Sequence, residues 1–431
     1  MKKSLYLIIT ITFLALNALC QNSENDSVQK TMFYPNLEKG SYDVGFQTMF
    51  DFDYSRTYNL SYPIDTSAKK KDPRPIITTI WYPTKKSNEE KQMIYLDYIK
   101  IQTQDSKLKN FVHRINEYNQ SNSVEYMFYK SSLNKERKTK FVKHLNQPIN
   151  VYRDATPINE KFPLVIYHAG LGGTLNDNTI LCEYLASHGF VVVTSAFQAN
   201  DYRDVELDWD LERSTKDLDF ILKKIKDLPF IDFSKIAAIG HSYGAQAVLG
   251  YKADNTFPVS WLIILDTTMD YSPTANPEGF ELLTEKLYAN NKNLNVPMLV
   301  FANPNAKFKV IDSLKNSDRI YAKVKLKHNE FTSLTSFAVF KGLQNRKNKD
   351  IVWEKYTLIN KYCLNYLKYN IYNDTESKRF LFTEHPKLNE FHEIPKGKSL
   401  NAKITRFYKL KYSAKNALQN GLSVLFSLFN L

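Results

Sequence analysis

Cysteine is nearly absent: the chain of 431 residues holds three, at positions 20, 182 and 363. Two of them, Cys182 and Cys363, lie beyond the leader described below, too few for a disulfide framework even in an oxidising compartment. Cys182 falls in an apolar helical stretch and is expected in the core. Long hydrophobic runs are missing as well. The apolar stretch Leu5 to Leu16 and the chain end Leu422 to Leu431 are both shorter than the ~20 residues needed to span a bilayer. Internal repeats are absent, and so are helix-turn-helix, zinc-finger and RNA-binding signatures. A net charge of +13 therefore rests on scattered lysines, and a nucleic-acid partner is not expected. The glycine-rich stretch "AGLGGT" lacks the spacing and the lysine of a phosphate-binding loop, which argues against nucleotide binding.

What is present begins with "MKKSLYLIITITFLALNALCQNS". A basic pair, an apolar core and then small residues form the layout of a secretory signal peptide. Cleavage after Cys20 places Ala18 and Cys20 at the small-residue positions, so residues 1–20 read as a signal and the chain as exported, periplasmic or secreted. Lipid attachment at Cys20 is the weaker alternative, because Leu19 is bulky where such signals carry a small residue. The chain as a whole is 43% hydrophobic, enough for a large core.

Past a polar leader, "GSYDVGFQTMFDFDY" and "PRPIITTIWYPT" alternate apolar and polar residues and read as opening strands. Residues 85–160 are rich in lysine and asparagine, carry helical spacing in "YLDYIKIQ" and "NFVHRINEY", and show no strong strand before Phe162. They read as a mostly helical insertion over the active-site face, or as a solvated connector. From Phe162 apolar strands alternate with helices: "FPLVIYHAG", "FVVVTSAF", "KIAAIG", "VSWLIILD", "VPMLVFAN" and "YAKVKLKH" are the strands. Such alternation implies a mostly parallel sheet with helices on both faces. The division expected is a catalytic domain over residues 21–370 and a basic C-terminal extension over 371–431.

In "IAAIGHSYGAQAV" a serine sits between two glycines directly after an apolar strand. Among only 13 glycines, a chance G-x-S-x-G arises on the order of a few hundredths of a time. The pattern is that of a nucleophile elbow, with Ser242 at a sharp strand-to-helix turn that leaves no room for side chains at Gly240 and Gly244. A serine hydroxyl needs a histidine base, itself oriented by a carboxylate. With this elbow the chain order is serine, acid, histidine. His328, His385 and His392 follow the elbow, and only His328 comes directly after a strand, so it is the expected base. The acid is Asp266, at the end of "WLIILD"; Asp270 is the reserve, and the next strand ends only in Asn303 and Asn305. Backbone N–H groups of Tyr243 and of Leu171, in the "HAGLGGT" loop, are the expected oxyanion donors. His168 is expected to support that loop, and His188 and His241 to be structural.

These segments, with "LASHGFVVV" and "KHNEFTSLTSF", resemble the secreted platelet-activating-factor acetylhydrolase type of α/β-hydrolase and the dienelactone-hydrolase-like bacterial esterases. The resemblance runs roughly from Lys39 to Leu367. It implies an α/β-hydrolase fold, an exported serine esterase cleaving small ester or lipid substrates without metal or organic cofactor, and the roles given above for Ser242, Asp266, His328, Leu171 and Tyr243. The His328 to Phe331 spacing matches the family's H-x-x-F. The insertion differs in composition from the family's usual segment, and the tail from Tyr369 has no counterpart. That tail, basic with an apolar end, reads either as a helix docked on the domain or as a peripheral membrane contact. Other classes open at this stage are a non-catalytic binding protein on a hydrolase scaffold and an acyltransferase or peptidase.

Overall fold

The computed structural model describes residues 32–58, 72–86, 91–128, 134–198, 209–254, 258–270, 277–383 and 388–400. The segment 1–20 expected to be a signal, with Cys20, the end of the tail from 401, and His385 lie outside the described residues.

The core strands owe their place to unbroken apolar runs. In β7 (Phe162–His168), β9 (Ile231–His241), β10 (Trp261–Leu265) and β11 (Met298–Ala302), successive side chains enter opposite cores. Val165, Ile239, Ile263 and Leu299 join one cluster, while Leu164, Ala238, Ile264 and Val300 join the other. Helices Thr179–Ser187, Ser333–Phe340 and Lys349–Tyr372 cover the first face. Helices Leu211–Ile225, Tyr243–Ala253 and Pro277–Ala289 cover the second.

The sheet has eleven strands among the described residues, in the order β13-β12-β11-β10-β9-β7-β8-β4-β3-β6-β5. Here β3 is Asp43–Tyr58, β4 Asp72–Thr84, β5 Lys91–Ile94, β6 Pro148–Arg153, β8 Val191–Ser195, β12 Arg319–Lys323 and β13 Glu390–Ile394. The run from β12 through β8 is parallel throughout. A separate pair, β1 (Met32–Tyr34) and β2 (Leu37–Glu38), is antiparallel.

Two expectations change. The segment 85–160 does carry helices, Lys109–Phe128 and Lys135–Leu145, but it also supplies β5 and β6, and β6 pairs parallel with β3 through Val44 and Val151. Alternation of exposed and buried residues over only Pro148–Val151, within a lysine-rich stretch, is too short to signal a strand. The second change is at 371, which falls inside helix Lys349–Tyr372; the chain then returns as β13, antiparallel to β12. Within the segment expected as an extension, Glu390–Ile394 is thus a strand of the central sheet. His392 lies in that edge strand, opposite Tyr321.

The helix Lys109–Phe128 is fastened to the domain by its apolar stripe. Phe111, Val112 and Ile115 pack with Ile77 and Leu175. Its polar side holds the loop beyond β7, where the Tyr118 hydroxyl and Asn122 Nδ2 both donate to the Gly172 carbonyl, at 2.8 and 2.6 Å. No helix among the described residues is long and apolar enough to cross a membrane.

Candidate active site

Parallel strands that share a direction deliver their carboxyl ends to one rim, where loops can converge. Ser242 follows β9, Asp266 follows β10, and His328 opens a short 3-10 turn, His328–Phe331, beyond β12. Four residues separate His328 from the end of β12, so it follows that strand less directly than its sequence suggests.

The elbow is as tight as its glycines imply. Ser242 has φ 54° and ψ −117°, a region L-residues rarely occupy, and its amide is held by the Leu265 carbonyl at 2.9 Å. A Cβ on Gly240 would stand 2.4 Å from the Gly244 carbonyl, and one on Gly244 would stand 2.0 Å from the His168 carbonyl and 2.5 Å from that of Ala169. These neighbours are main chain and can give way only by moving the loop after β7. Gly244→Ala is expected to destabilise the fold by about 2–4 kcal/mol through overpacking and to depress activity with it. A thermal melt checks this; a melting temperature equal to that of the parent would refute the close-packing account.

The three expected side chains meet. Ser242 Oγ lies 2.8 Å from His328 Nε2, and His328 Nδ1 lies 2.7 Å from Asp266 Oδ2. Asp266 is fully buried, Ser242 is buried and His328 is half-exposed. The other carboxylate oxygen, Oδ1, accepts from the Asn303 backbone N–H at 2.8 Å and from Asn303 Nδ2 at 3.3 Å. Asn303, set aside in sequence as unable to serve as the acid, is thus the acid's support. Asp270 closes the 3-10 turn Thr268–Asp270 after β10.

The loop carrying His328 is fixed by groups with no spacing signal. Glu330, buried, accepts from the Lys327 N–H at 2.8 Å and pairs with Arg346 at 2.6 Å. His241 Nε2 lies 3.1 Å from the His328 carbonyl oxygen, so this nitrogen carries the proton and donates. Burial, reinforced by the nearby His328, pushes the His241 pKa down to about 3, which keeps the ring neutral. His168 stacks on Phe197, contacts Ser214 Oγ at 3.1 Å, and is held down to about 4 by burial. It ends β7, and its Nδ1 lies 2.9 Å from the Ala169 carbonyl oxygen at the start of the following loop. His188 bonds the Glu38 carbonyl at the surface.

A cavity of about 390 Å³ opens over Ser242. Leu171, Tyr243, His328, Tyr126, Trp209 and Phe280 are among the residues lining it. Leu171 is exposed, and neither its N–H nor that of Tyr243 has a main-chain acceptor among the described residues. The first turn of helix Tyr243–Ala253 leaves the Tyr243 N–H free by geometry. Trp209 Nε1 donates to Gln246 Oε1 at 2.9 Å and so ties one wall to that helix. Among the described residues no group of three or more His, Cys, Asp or Glu is arranged to hold a metal ion. Cys182 and Cys363 are buried and unpaired.

A family model described as platelet-activating factor acetylhydrolase, isoform II, matches residues 35–206. That span includes the loop after β7 and ends before the elbow. A solved structure of a ferulic acid esterase from Streptomyces cinnamoneus superposes with a TM-score of 0.50 at 16% identity, covering 76% of this chain and 89% of that one. A search of curated proteins finds no match.

Proposed function

The chain is an α/β-hydrolase in fold, and on that premise we propose that it is an exported serine hydrolase that cleaves carboxylic esters of small or lipid alcohols and acids. The observation that carries this reading is the chain of contacts from Ser242 Oγ through His328 to Asp266, at 2.8 and 2.7 Å, opening on a cavity with two uncommitted backbone N–H groups. The family match and the esterase neighbour support the same reaction class.

In this mechanism His328 Nε2 takes the proton of Ser242 as Oγ attacks the ester carbonyl. Asp266 keeps the other ring proton on Nδ1, so that Nε2 presents its lone pair, and stabilises the imidazolium that forms. The N–H groups of Leu171 and Tyr243 receive the oxyanion of the tetrahedral intermediate. Collapse expels the alcohol, which takes the proton back from His328. Water, deprotonated by the same ring, then releases the acid from Ser242. The signal-like leader supports export.

The test is labelling of the purified mature protein with a fluorophosphonate, followed by mass mapping. The expected result is a single adduct on Ser242 that is lost in His328→Ala. A folded protein that takes up no label would instead be a binding protein on a hydrolase scaffold.

A further inference from the structure

Among the described residues that line the cavity, Asp177 carries the one carboxylate, and no lysine or arginine lines it. The residue is 8% exposed. Its main chain is pinned: the amide donates to Thr174 O at 3.1 Å, and the carbonyl accepts from Leu334 N at 3.1 Å and Ser333 Oγ at 3.4 Å. One carboxylate oxygen, Oδ2, accepts from the Tyr167 hydroxyl at 2.6 Å. The other, Oδ1, takes no hydrogen bond from a described residue, yet it is not among the unpartnered polar atoms sealed in the interior. Asp177 lines the cavity that holds Ser242 and His328, and Oδ1 is the carboxylate oxygen left without a partner among the described residues.

A carboxylate drawn out of water and left half-satisfied is costly unless something binds it. No lysine or arginine in the cavity lining is there to pair with it, so its strongest complement is a cation with N–H donors. We infer that Asp177 makes the enzyme selective for esters that carry a protonated amine, which donates to Asp177 Oδ1 while the ester carbonyl sits at Ser242. This rests on the serine-hydrolase reading above. Asp177 touches no atom of the reacting bond in this scheme; it determines specificity.

Burial pushes the Asp177 carboxyl up to about 6, against the pull of the Tyr167 hydrogen bond and the charge of His328. The titratable groups facing it are Tyr167 on β7, Tyr95 between β5 and the helices of the insertion, Cys182 on helix Thr179–Ser187, and His328. Burial raises the two tyrosines and the cysteine, which stay neutral near pH 7. His328 acts on every ester alike and drops out of a ratio.

The experiment compares matched esters in the full protein: p-nitrophenyl 6-aminohexanoate against p-nitrophenyl heptanoate, and 6-aminohexyl acetate against heptyl acetate. In at least one pair the amine-bearing ester is expected to have a kcat/KM roughly ten times higher or more at pH 8. That preference should fall toward one as the pH drops through about 6, where Asp177 takes up its proton. Asp177→Asn keeps an acceptor for Tyr167 and should erase the preference by raising KM for the amine-bearing ester. Equal rates within both pairs in the parent, or a ratio flat with pH, would overturn the inference. An Asp177→Asn variant that slows both esters of a pair equally would reduce the residue to a support for Tyr167 and overturn it as well. Failure of the serine-hydrolase reading is separately visible, because the neutral esters would then be hydrolysed no faster by the parent than by Ser242→Ala.

Discussion

Ser242→Ala is expected to lower kcat by about a million-fold while leaving the melting temperature within a degree or two of the parent. The two halves of this expectation have separate physical origins. Ser242 Oγ has His328 Nε2 as its side-chain partner, at 2.8 Å, and does not cap the helix it precedes. The fold depends on Ser242 through its main chain: the amide donates to Leu265 O, and its carbonyl accepts from Ala245 and Gln246 at 3.1 and 3.3 Å. Alanine preserves all of these, and its Cβ is the atom the site already accommodates at φ 54°. Removing Oγ takes away the nucleophile and leaves the two N–H donors and the cavity, which alone supply only a small part of the rate. Steady-state kinetics on p-nitrophenyl acetate and a thermal melt, run on the same preparation, test both halves. A folded Ser242→Ala protein with more than about a tenth of the parent kcat would remove Ser242 from the reaction.

The residues carrying that expectation were legible in the sequence for a local reason. Ser242 and Asp266 each end an apolar run, and in a parallel sheet the ends of such runs share one rim. His328 was legible by chain order. The central strands were equally open to reading, since burial on both faces demands consecutive apolar residues. What escaped has a different physics. Strands β6 and β13 lie toward the sheet margins, where one face or one neighbour is missing and short alternating segments suffice. Asn303 holding Asp266, His241 holding the His328 carbonyl, and Glu330 paired with Arg346 are contacts whose partners, apart from the last, lie far apart in the chain. Polar contacts of this kind impose no periodicity, and any of these residues could equally have been solvated. Asp177 shows the limit most clearly. It sits in a glycine-rich loop region that drew notice for its N–H groups, and only the folded structure places its carboxylate against the cavity.

Asp266→Asn is the second substitution expected to cost orders of magnitude, about 10⁴-fold in kcat, and the hydrogen bonds around Asp266 explain why an isosteric change is so severe. Both oxygens are committed as acceptors: Oδ2 to His328 Nδ1 at 2.7 Å, Oδ1 to the Asn303 N–H at 2.8 Å and Asn303 Nδ2 at 3.3 Å. An amide offers one acceptor where two are required. If its oxygen turns to Asn303, its NH₂ faces His328 Nδ1, which must then bear the lone pair. The ring proton moves to Nε2, and that nitrogen donates to Ser242 Oγ instead of accepting its proton. If the oxygen instead turns to His328, the NH₂ meets the Asn303 N–H in a fully buried site, and an unsatisfied pair of donors costs about 1–3 kcal/mol. The first arrangement avoids that cost, so the blocked tautomer dominates. Asp266→Ala, which dictates no tautomer and leaves room for water, should be no slower than Asp266→Asn despite removing more of the side chain. Comparing kcat for the two variants, with fluorophosphonate labelling rates as a second readout, separates tautomer control from simple loss of a carboxylate. Retention of activity within about tenfold in Asp266→Asn would show that another group orients His328.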